Sequence, residues 1–491
     1  MTEERGNVLT NHFEKKKIIE LVCIIIVTAF VWNLPTRVFG IDGLTIVQQR
    51  IIAIFVFATL TWLTEAIPAW ATSLSIITVM CLTVSNNSIT FFKGDESDTF
   101  GKLLDSEAIM ATFADPVIML FLGGFILAIA ATKSGLDVLL AKNMIRPFGR
   151  KSENVLLGFL LITGIFSMFV SNTATAAMML TFLTPVFAAL PANGKGRTAL
   201  TMSIPIAANL GGMATPIGTP PNLIAMKMLN NPAGLNMDIG FGKWMAFMFP
   251  LVILLLFISW RLILKFFPFT QKTIELEIKG EVHHGWRMWV VSGTFIVTIL
   301  LWLIPKGITG IDSYTVAMIP MGVFAITGVI TAKDLQAINW SVIWMVAGGF
   351  ALGLGMTGSG LADRAIESIP FGSWSPIAIL IISGFICYFL SNFISNTATA
   401  ALLVPILAVV CTGMGNSLNA LGGTSTILIG IALAASSAMC LPISTPPNAI
   451  AYSTGLIKQN DMLKAGLIVG IISMIIGYAV LFFVGESHFL G

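Results

Sequence analysis

Thirteen apolar stretches, most of them near the length of one bilayer crossing, run almost end to end between Lys17 and Val484. A bilayer core admits only helices and closed barrels, because backbone N–H and C=O groups find no water there. These runs lack the alternating pattern of about ten residues that marks a membrane barrel strand. The charge content agrees: 10% of the residues are charged, against about 25% in a soluble domain. Mean hydropathy is +0.90. The expected fold class is therefore an all-α polytopic membrane protein.

Other classes are disfavoured. The net charge of +3 is spread over loops, with no basic tract suited to nucleic acid. The five cysteines (Cys23, Cys81, Cys387, Cys411, Cys440) stand singly in apolar runs, which suits neither a disulfide framework nor a metal site. His12, His283, His284 and His488 fall outside the expected spans, so an intramembrane enzyme would lack a histidine base or ligand. Lys15, Lys16 and Lys17 precede the first apolar run, but no small-residue cleavage site follows it. That run reads as a first transmembrane helix rather than a signal peptide.

The expected spans are 18–35, 47–66, 69–83, 116–140, 153–192, 199–228, 244–264, 288–304, 313–332, 340–358, 376–412, 425–454 and 465–485. The stretches 153–192 and 376–412 are too long for one helix and too interrupted for a clean pair. If each returns to its starting side, the basic residues gather on one face: Arg5, Lys142, Arg146, Arg150, Lys151, Lys195, Arg197, Lys265, Lys272, Lys279 and Arg287. The opposite face carries the acidic loop 84–107, with Asp95, Glu96, Asp98, Asp105 and Glu107. The positive-inside rule then places the N-terminus in the cytoplasm and the C-terminus outside, with about eleven transmembrane helices in the cell membrane.

The chain also repeats itself. "VIMLFLGGFILAIAATKSGL" (117–136) aligns with "VIWMVAGGFALGLGMTGSGL" (342–361) at an offset of 225 residues. "SMFVSNTATAA" (167–177) matches "SNFISNTATAA" (391–401) at 224, and "PIGTPPNLIA" (216–225) matches "PISTPPNAIA" (442–451) at 226. Three blocks in one order at nearly one offset mark two homologous halves. Counting crossings, with 199–228 as one broken span, gives the halves opposite orientation. Inverted repeats of this kind place a transporter's site at the repeat interface near the midplane.

Each repeated block mixes helix formers with residues a helix avoids. "TPIGTPPN" (215–222) and "LPISTPPN" (441–448) each hold three prolines, which remove donors and force a break. Such a break survives in lipid only when buried in protein or lining a cavity. The two Ser-Asn-Thr tripeptides sit in the middle of the overlong stretches, the expected tips of two re-entrant hairpins. Together they would form a pocket of hydroxyls, amides and helix N-termini that suits a multi-oxygen anion, while freed carbonyls suit sodium. Glu20, Glu65 and Asp115 are acids near the spans and none of these three lies in a repeated motif. Sodium coupling is therefore favoured over protons. An enclosed pocket between inverted halves favours alternating access over an open channel. Single Ser and Thr residues in membrane helices commonly serve packing, as the pairs Gly123-Gly124 and Gly348-Gly349 are expected to do. Pro185 and Pro320 read as ordinary kinks, and Glu65 as a residue near a span end.

The duplicated "SNTATAA" and "TPPN" blocks, with "WLTEAIP" (62–68) ahead of them, resemble the divalent anion–sodium symporter family, the INDY-type sodium-coupled dicarboxylate carriers. The resemblance covers nearly the whole chain. It implies a homodimer of elevator type, with scaffold and transport domains, importing C4-dicarboxylates such as succinate, malate and fumarate with sodium and needing no other cofactor. Residues 1–115 and 288–339 would be scaffold, and 116–287 and 340–491 the two repeats. Carried over by position, Asn172, Thr173, Asn396 and Thr397 would hold the carboxylates, with Thr219, Ser395, Thr445 and Pro446 lining the pocket. One sodium would take Ser167, Ser171, Asn172 and the Gly218 carbonyl. A second would take Ser391, Asn396 and carbonyls near Ile394 and Ser444. The halves differ at Met168 against Asn392 and at Gly218 against Ser444. Some relatives exchange anions without sodium, and others carry sulfate or citrate.

Overall fold

The structure, a computed structural model, describes residues 2–94, 99–188, 190–191, 194–231, 235–274, 285–487 and 489. Asp95, Glu96, Asp98, Lys279, His283, His284 and His488 lie outside them, as do the side chains of Arg5, His12 and Pro185. The elements named here are α-helices. In chain order they are α1 (Thr2–Asn33), α2 (Ile46–Thr64), α3 (Ala69–Thr83), α4 (Ser106–Ala111), α5 (Pro116–Ser134), α6 (Leu136–Ile145) and α7 (Ser152–Ser167). Then follow α8 (Asn172–Ala188), α9 (Lys195–Gly212), α10 (Pro220–Leu229), α11 (Phe241–Phe266), α12 (Trp286–Leu303), α13 (Lys306–Thr309) and α14 (Ser313–Ile326). The last third holds α15 (Trp340–Gly358), α16 (Leu361–Ser368), α17 (Pro376–Ser391), α18 (Asn396–Met414), α19 (Thr424–Ser437), α20 (Pro446–Ser453) and α21 (Gln459–Glu486). Among the described residues seven helical segments are long and apolar enough to cross a membrane, and five shorter apolar helices accompany them.

The chain divides into two compact units. The first comprises Met1–Asp115, Trp340–Ser375 and Thr397–Leu418. At the start of α2, Thr45 and Gln48 form a reciprocal capping box that satisfies two orphan N–H groups. Arg50, on the same helix, donates to Thr83 O (2.9 Å) and Phe92 O (2.7 Å) and lies 5.4 Å from the rings of Trp32, Phe92 and Phe100. These bonds and cation–π contacts pin α2 to α1 and to the loop after α3. Helix α15 lies close on α3: a Cβ built at Gly348 would stand 2.4 Å from Ser73 Cβ, and one at Gly349 3.0 Å from Ala401 Cβ. The glycine pair thus serves helix packing, the usual use of small residues between membrane helices. Glu65 is the exposed C-cap of α2, with φ +51°.

The second unit comprises Pro116–Asn339, Pro376–Asn396 and Asn419–Gly491. Small residues again set its contacts. A Cβ at Gly123 would lie 2.5 Å from Ala317 O, bringing α5 onto α14, and one at Gly211 would lie 2.3 Å from Gly164 O, bringing α9 onto α7. On α21, Gly466 approaches Met439 O and Gly477 approaches Leu433 in the same manner. Tyr478 Oη donates to Gly430 O across the α19–α21 contact (3.2 Å). At the far end of α5, Lys133 pairs with Asp334 (2.5 Å). That ammonium, with Thr331 bonding the same carboxylate, holds Asp334 down to about 2. Pro320 sits buried inside α14.

Candidate functional site

Four interruptions in the helical structure fall at the repeated motifs. Helix α7 stops at Ser167 and α8 starts at Asn172; α17 stops at Ser391 and α18 starts at Asn396. The two tips are wound alike, with Phe169 N and Val170 N returning to Phe166 O, and Phe393 N and Ile394 N returning to Leu390 O. Ser171 heads α8: its carbonyl accepts from Thr175 N (2.9 Å) and its hydroxyl from Ala174 N (3.3 Å).

The other two interruptions are 213–219, between α9 and α10, and 438–445, between α19 and α20. Each downstream helix opens on a proline pair, which fits a first turn whose N–H groups have no helical partner. In each loop one asparagine gathers the carbonyls left by the preceding helix. Asn222 Nδ2 donates to Gly212 O (3.1 Å), Met213 O (3.3 Å) and Thr215 O (2.8 Å). Asn448 Nδ2 donates to the corresponding Met439 O (2.8 Å) and Leu441 O (2.9 Å).

A hydroxyl ties each loop to the adjacent tip, but it comes from a different residue in each half. In the first, Thr215 Oγ1 donates to Met168 O and accepts from Gly218 N (3.0 Å). In the second, Ser444 Oγ donates to Asn392, whose backbone O and Oδ1 lie 3.0 and 3.1 Å away, and accepts from Leu441 N (3.0 Å). The sequence differences at 168/392 and 218/444 are therefore two ends of one contact. Asn392 is held further by Cys440 N (3.0 Å) on its Oδ1 and by its own Nδ2 on Tyr388 O (2.9 Å).

The first half gathers oxygens at Asn172. Ser167 Oγ lies 2.6 Å from the Asn172 amide oxygen and 2.7 Å from Ala208 O. A hydroxyl has one proton, so Ser167 cannot donate to both. With the amide nitrogen turned inward instead, Asn172 donates to Ser167 Oγ (2.6 Å), Gly218 O (3.2 Å) and Ala208 O (3.3 Å). With the amide oxygen turned inward, four oxygens face one another, an arrangement that a hard monovalent cation satisfies. Close backbone approach makes this cluster: a Cβ at Gly218 would stand 2.4 Å from Gly212 O, and one at Gly212 would stand 2.7 Å from Asn172 Oδ1. In the second half, Asn396 Oδ1 is buried and has no hydrogen-bond partner among the described residues.

The structure thus brings Ser167, Asn172 and Gly218 together, with Ser171 as the cap just before Asn172. Ser391 and Ile394 are buried at the second tip, where Ser444 reaches Asn392. Thr219 and Thr445 are buried N-caps of α10 and α20. Thr173 and Pro446 are exposed, and Ser395 and Asn396 half-buried. Thr397 is buried in α18 and belongs to the first unit. The halves interlock within the second unit: α8 packs on α20, and α10 on α19. Sequence reasoning missed Asn209, Thr215 and the Ala208 carbonyl, and noted Asn392 merely as a departure from the repeat. Thr215 and Asn392 could have been found as paired departures; Asn209 carries no repeat signal, since Ala435 stands at its counterpart.

Two solved structures share the helical fold of this chain. The chain is similar to the crystal structure of the Alcanivorax borkumensis YdaH transporter, at TM-score 0.58 and 13% identity over 87% of this chain and 100% of that one. It is also similar to Neisseria gonorrhoeae MtrF, described among antimetabolite efflux pumps, at TM-score 0.52 and 13% identity over 86% and 96%. The chain belongs to the family described as sodium:sulfate symporter transmembrane region, which matches residues 15–486. Among its relatives is the sodium-dependent dicarboxylate transporter SdcS of Staphylococcus saprophyticus, 31% identical over 92% of this chain and 88% of the relative. The protein of the same description from Staphylococcus aureus is 32% identical over 88% and 85%. The chain is a multi-pass membrane transporter and not an enzyme.

Proposed function

We propose that the protein imports C4-dicarboxylates such as succinate, malate and fumarate by sodium symport. The observation that carries this reading is the cluster of Ser167 Oγ, Ala208 O and Gly218 O around the Asn172 amide, a space that either the amide nitrogen or a cation would fill. Ser167, Ser171, Asn172 and the Gly218 carbonyl would take one sodium, and Ser391, Asn396 and carbonyls near Ile394 and Ser444 a second. When sodium displaces the Asn172 NH2 group, that group turns outward as a donor for a carboxylate. Binding of the cation thereby prepares binding of the anion, in the order a symporter needs. Thr173, Thr219, Ser395, Asn396, Thr397, Thr445 and Pro446 would complete the anion pocket.

The wider reading keeps the topology inferred from the sequence. It has eleven crossings and two re-entrant hairpins in inverted halves, an N-terminus in the cytoplasm and a C-terminus outside. The working unit would be a homodimer in the cell membrane, moving its transport domain as an elevator on a scaffold of residues 1–115 and 288–339. The corresponding Asn222 and Asn448 clamps support a common origin for the two halves. The relatives' description as sodium-dependent dicarboxylate transporters supports the substrate class, while the family's description keeps sulfate as a second reading.

Succinate uptake into proteoliposomes tests the proposal. Uptake should follow an inward sodium gradient and be competed by malate and fumarate but not by sulfate. Counterflow that ignores sodium would replace symport with dicarboxylate exchange, and competition by sulfate or citrate alone would replace the substrate.

A further inference from the structure

Asn209 lies on α9, 2% exposed, and reaches from the first half into the second half's broken loop. Its Nδ2 donates to Thr445 Oγ1 (3.1 Å) and to Asn448 Oδ1 (3.2 Å). Thr445 Oγ1 also accepts from Asn448 N (3.4 Å). A threonine hydroxyl has two acceptor lone pairs and one proton. With both lone pairs engaged from inside the protein, the Thr445 proton is what remains to offer a ligand.

The first half has no such arrangement. Ala435 stands where Asn209 would have its counterpart. Thr219, the N-cap matching Thr445, forms no side-chain cap bond. Asn222 Oδ1, matching the Asn448 oxygen that Asn209 satisfies, is buried without a partner among the described residues. The two TPPN loops share a sequence but differ in how their threonine hydroxyls are polarised.

We infer that Asn209 is a positioning residue for the anion site: by filling the acceptor side of Thr445 it makes that hydroxyl an obligate hydrogen-bond donor, matched to a carboxylate oxygen. This rests on the dicarboxylate reading above. The substrate then meets unlike clamps at its two ends, one built on a fixed donor and one on a hydroxyl free to turn.

The test is succinate uptake by the full-length transporter in sodium-loaded gradients, comparing Asn209→Asp, Asn209→Ala, Thr445→Val and the double variant Asn209→Ala with Thr445→Val. Asn209→Asp keeps the shape but, ionised, accepts where the amide donates, so it would draw the Thr445 proton inward. Asn209→Asp, Asn209→Ala and Thr445→Val should each raise the succinate KM at least about tenfold, the effect of losing one hydrogen bond to a charged group. The sodium concentration for half-maximal uptake should stay near wild type, and Asn209→Ala should add nothing once Thr445 is valine. If Thr445→Val raises KM while Asn209→Asp and Asn209→Ala do not, or if the double variant is fully additive, the positioning role is wrong and the carboxylate site stands. If Thr445→Val leaves KM unchanged, the carboxylate assignment itself falls. Should Asn209→Ala fail to fold, Asn209→Asp carries the comparison.

Discussion

Asn172 and Asn396 occupy one position in two copies of the same motif, the first residue of a helix that follows a four-residue break. Their surroundings separate them: the Asn172 amide faces a hydroxyl and two carbonyls, while Asn396 Oδ1 is buried without a partner among the described residues. In the proposed cycle Ser167 Oγ and the Gly218 and Ala208 carbonyls hold the Asn172 amide when sodium is absent. Asn172→Ala should therefore abolish succinate uptake and leave the sodium-free protein folded. Its melting temperature should rise less with added sodium, because the site at Asn396 alone remains, whereas each wild-type site at 100 times its Kd gains about 2.7 kcal/mol. A variant that keeps both uptake and the sodium-dependent shift would return the motif to ordinary helix packing.

At the scale of elements, the breaks were legible because proline and the Ser-Asn-Thr tripeptide conflict with the apolar helices around them. Their limits in the structure, 168–171, 213–219, 392–395 and 438–445, fall on the repeated blocks. The bonds crossing between elements were not legible. Asn209 looks like one polar residue in an apolar helix, and its partners lie 236 and 239 residues away. The exchange of Thr215 for Ser444 as the tie to the tip was visible merely as two unconnected differences, because pairing them needs the loop's turn. The division of the chain between Asn396 and Thr397 is likewise a matter of packing rather than composition. Helix contact itself rests on glycine, and Gly211 is the sharpest case because its obstacle is backbone, the Gly164 carbonyl. Gly211→Ala must part α7 from α9 and should destabilise the protein by about 1–3 kcal/mol. Gly293, exposed on α12 with nothing within 4 Å of a new Cβ, should show the opposite sign: alanine there gains about 0.5–1 kcal/mol through helix propensity. Thermal unfolding in one detergent compares the pair; equal shifts would show that the α7–α9 contact has slack.

For the whole molecule, the decisive quantity is charge moved per cycle. The clusters named as site carry no ionised side chain, so the charge of the loaded carrier is that of its cargo. The proposed reading has two cation positions, at Asn172 and at Asn396, and two sodium ions balance a dicarboxylate dianion. Uptake should then rise with the second power of sodium concentration, and a tenfold sodium gradient should support about hundredfold succinate accumulation by mass action. A membrane potential should leave that accumulation unchanged. Each unbalanced charge would add about 2.3 kcal/mol per 100 mV, roughly a fiftyfold change at 1.4 kcal/mol per factor of ten. Imposing an inside-negative potassium diffusion potential on the proteoliposomes therefore counts the ions. No change in the plateau fits two sodium ions, and a rise near fiftyfold per 100 mV requires a third cation site that neither half of the repeat supplies.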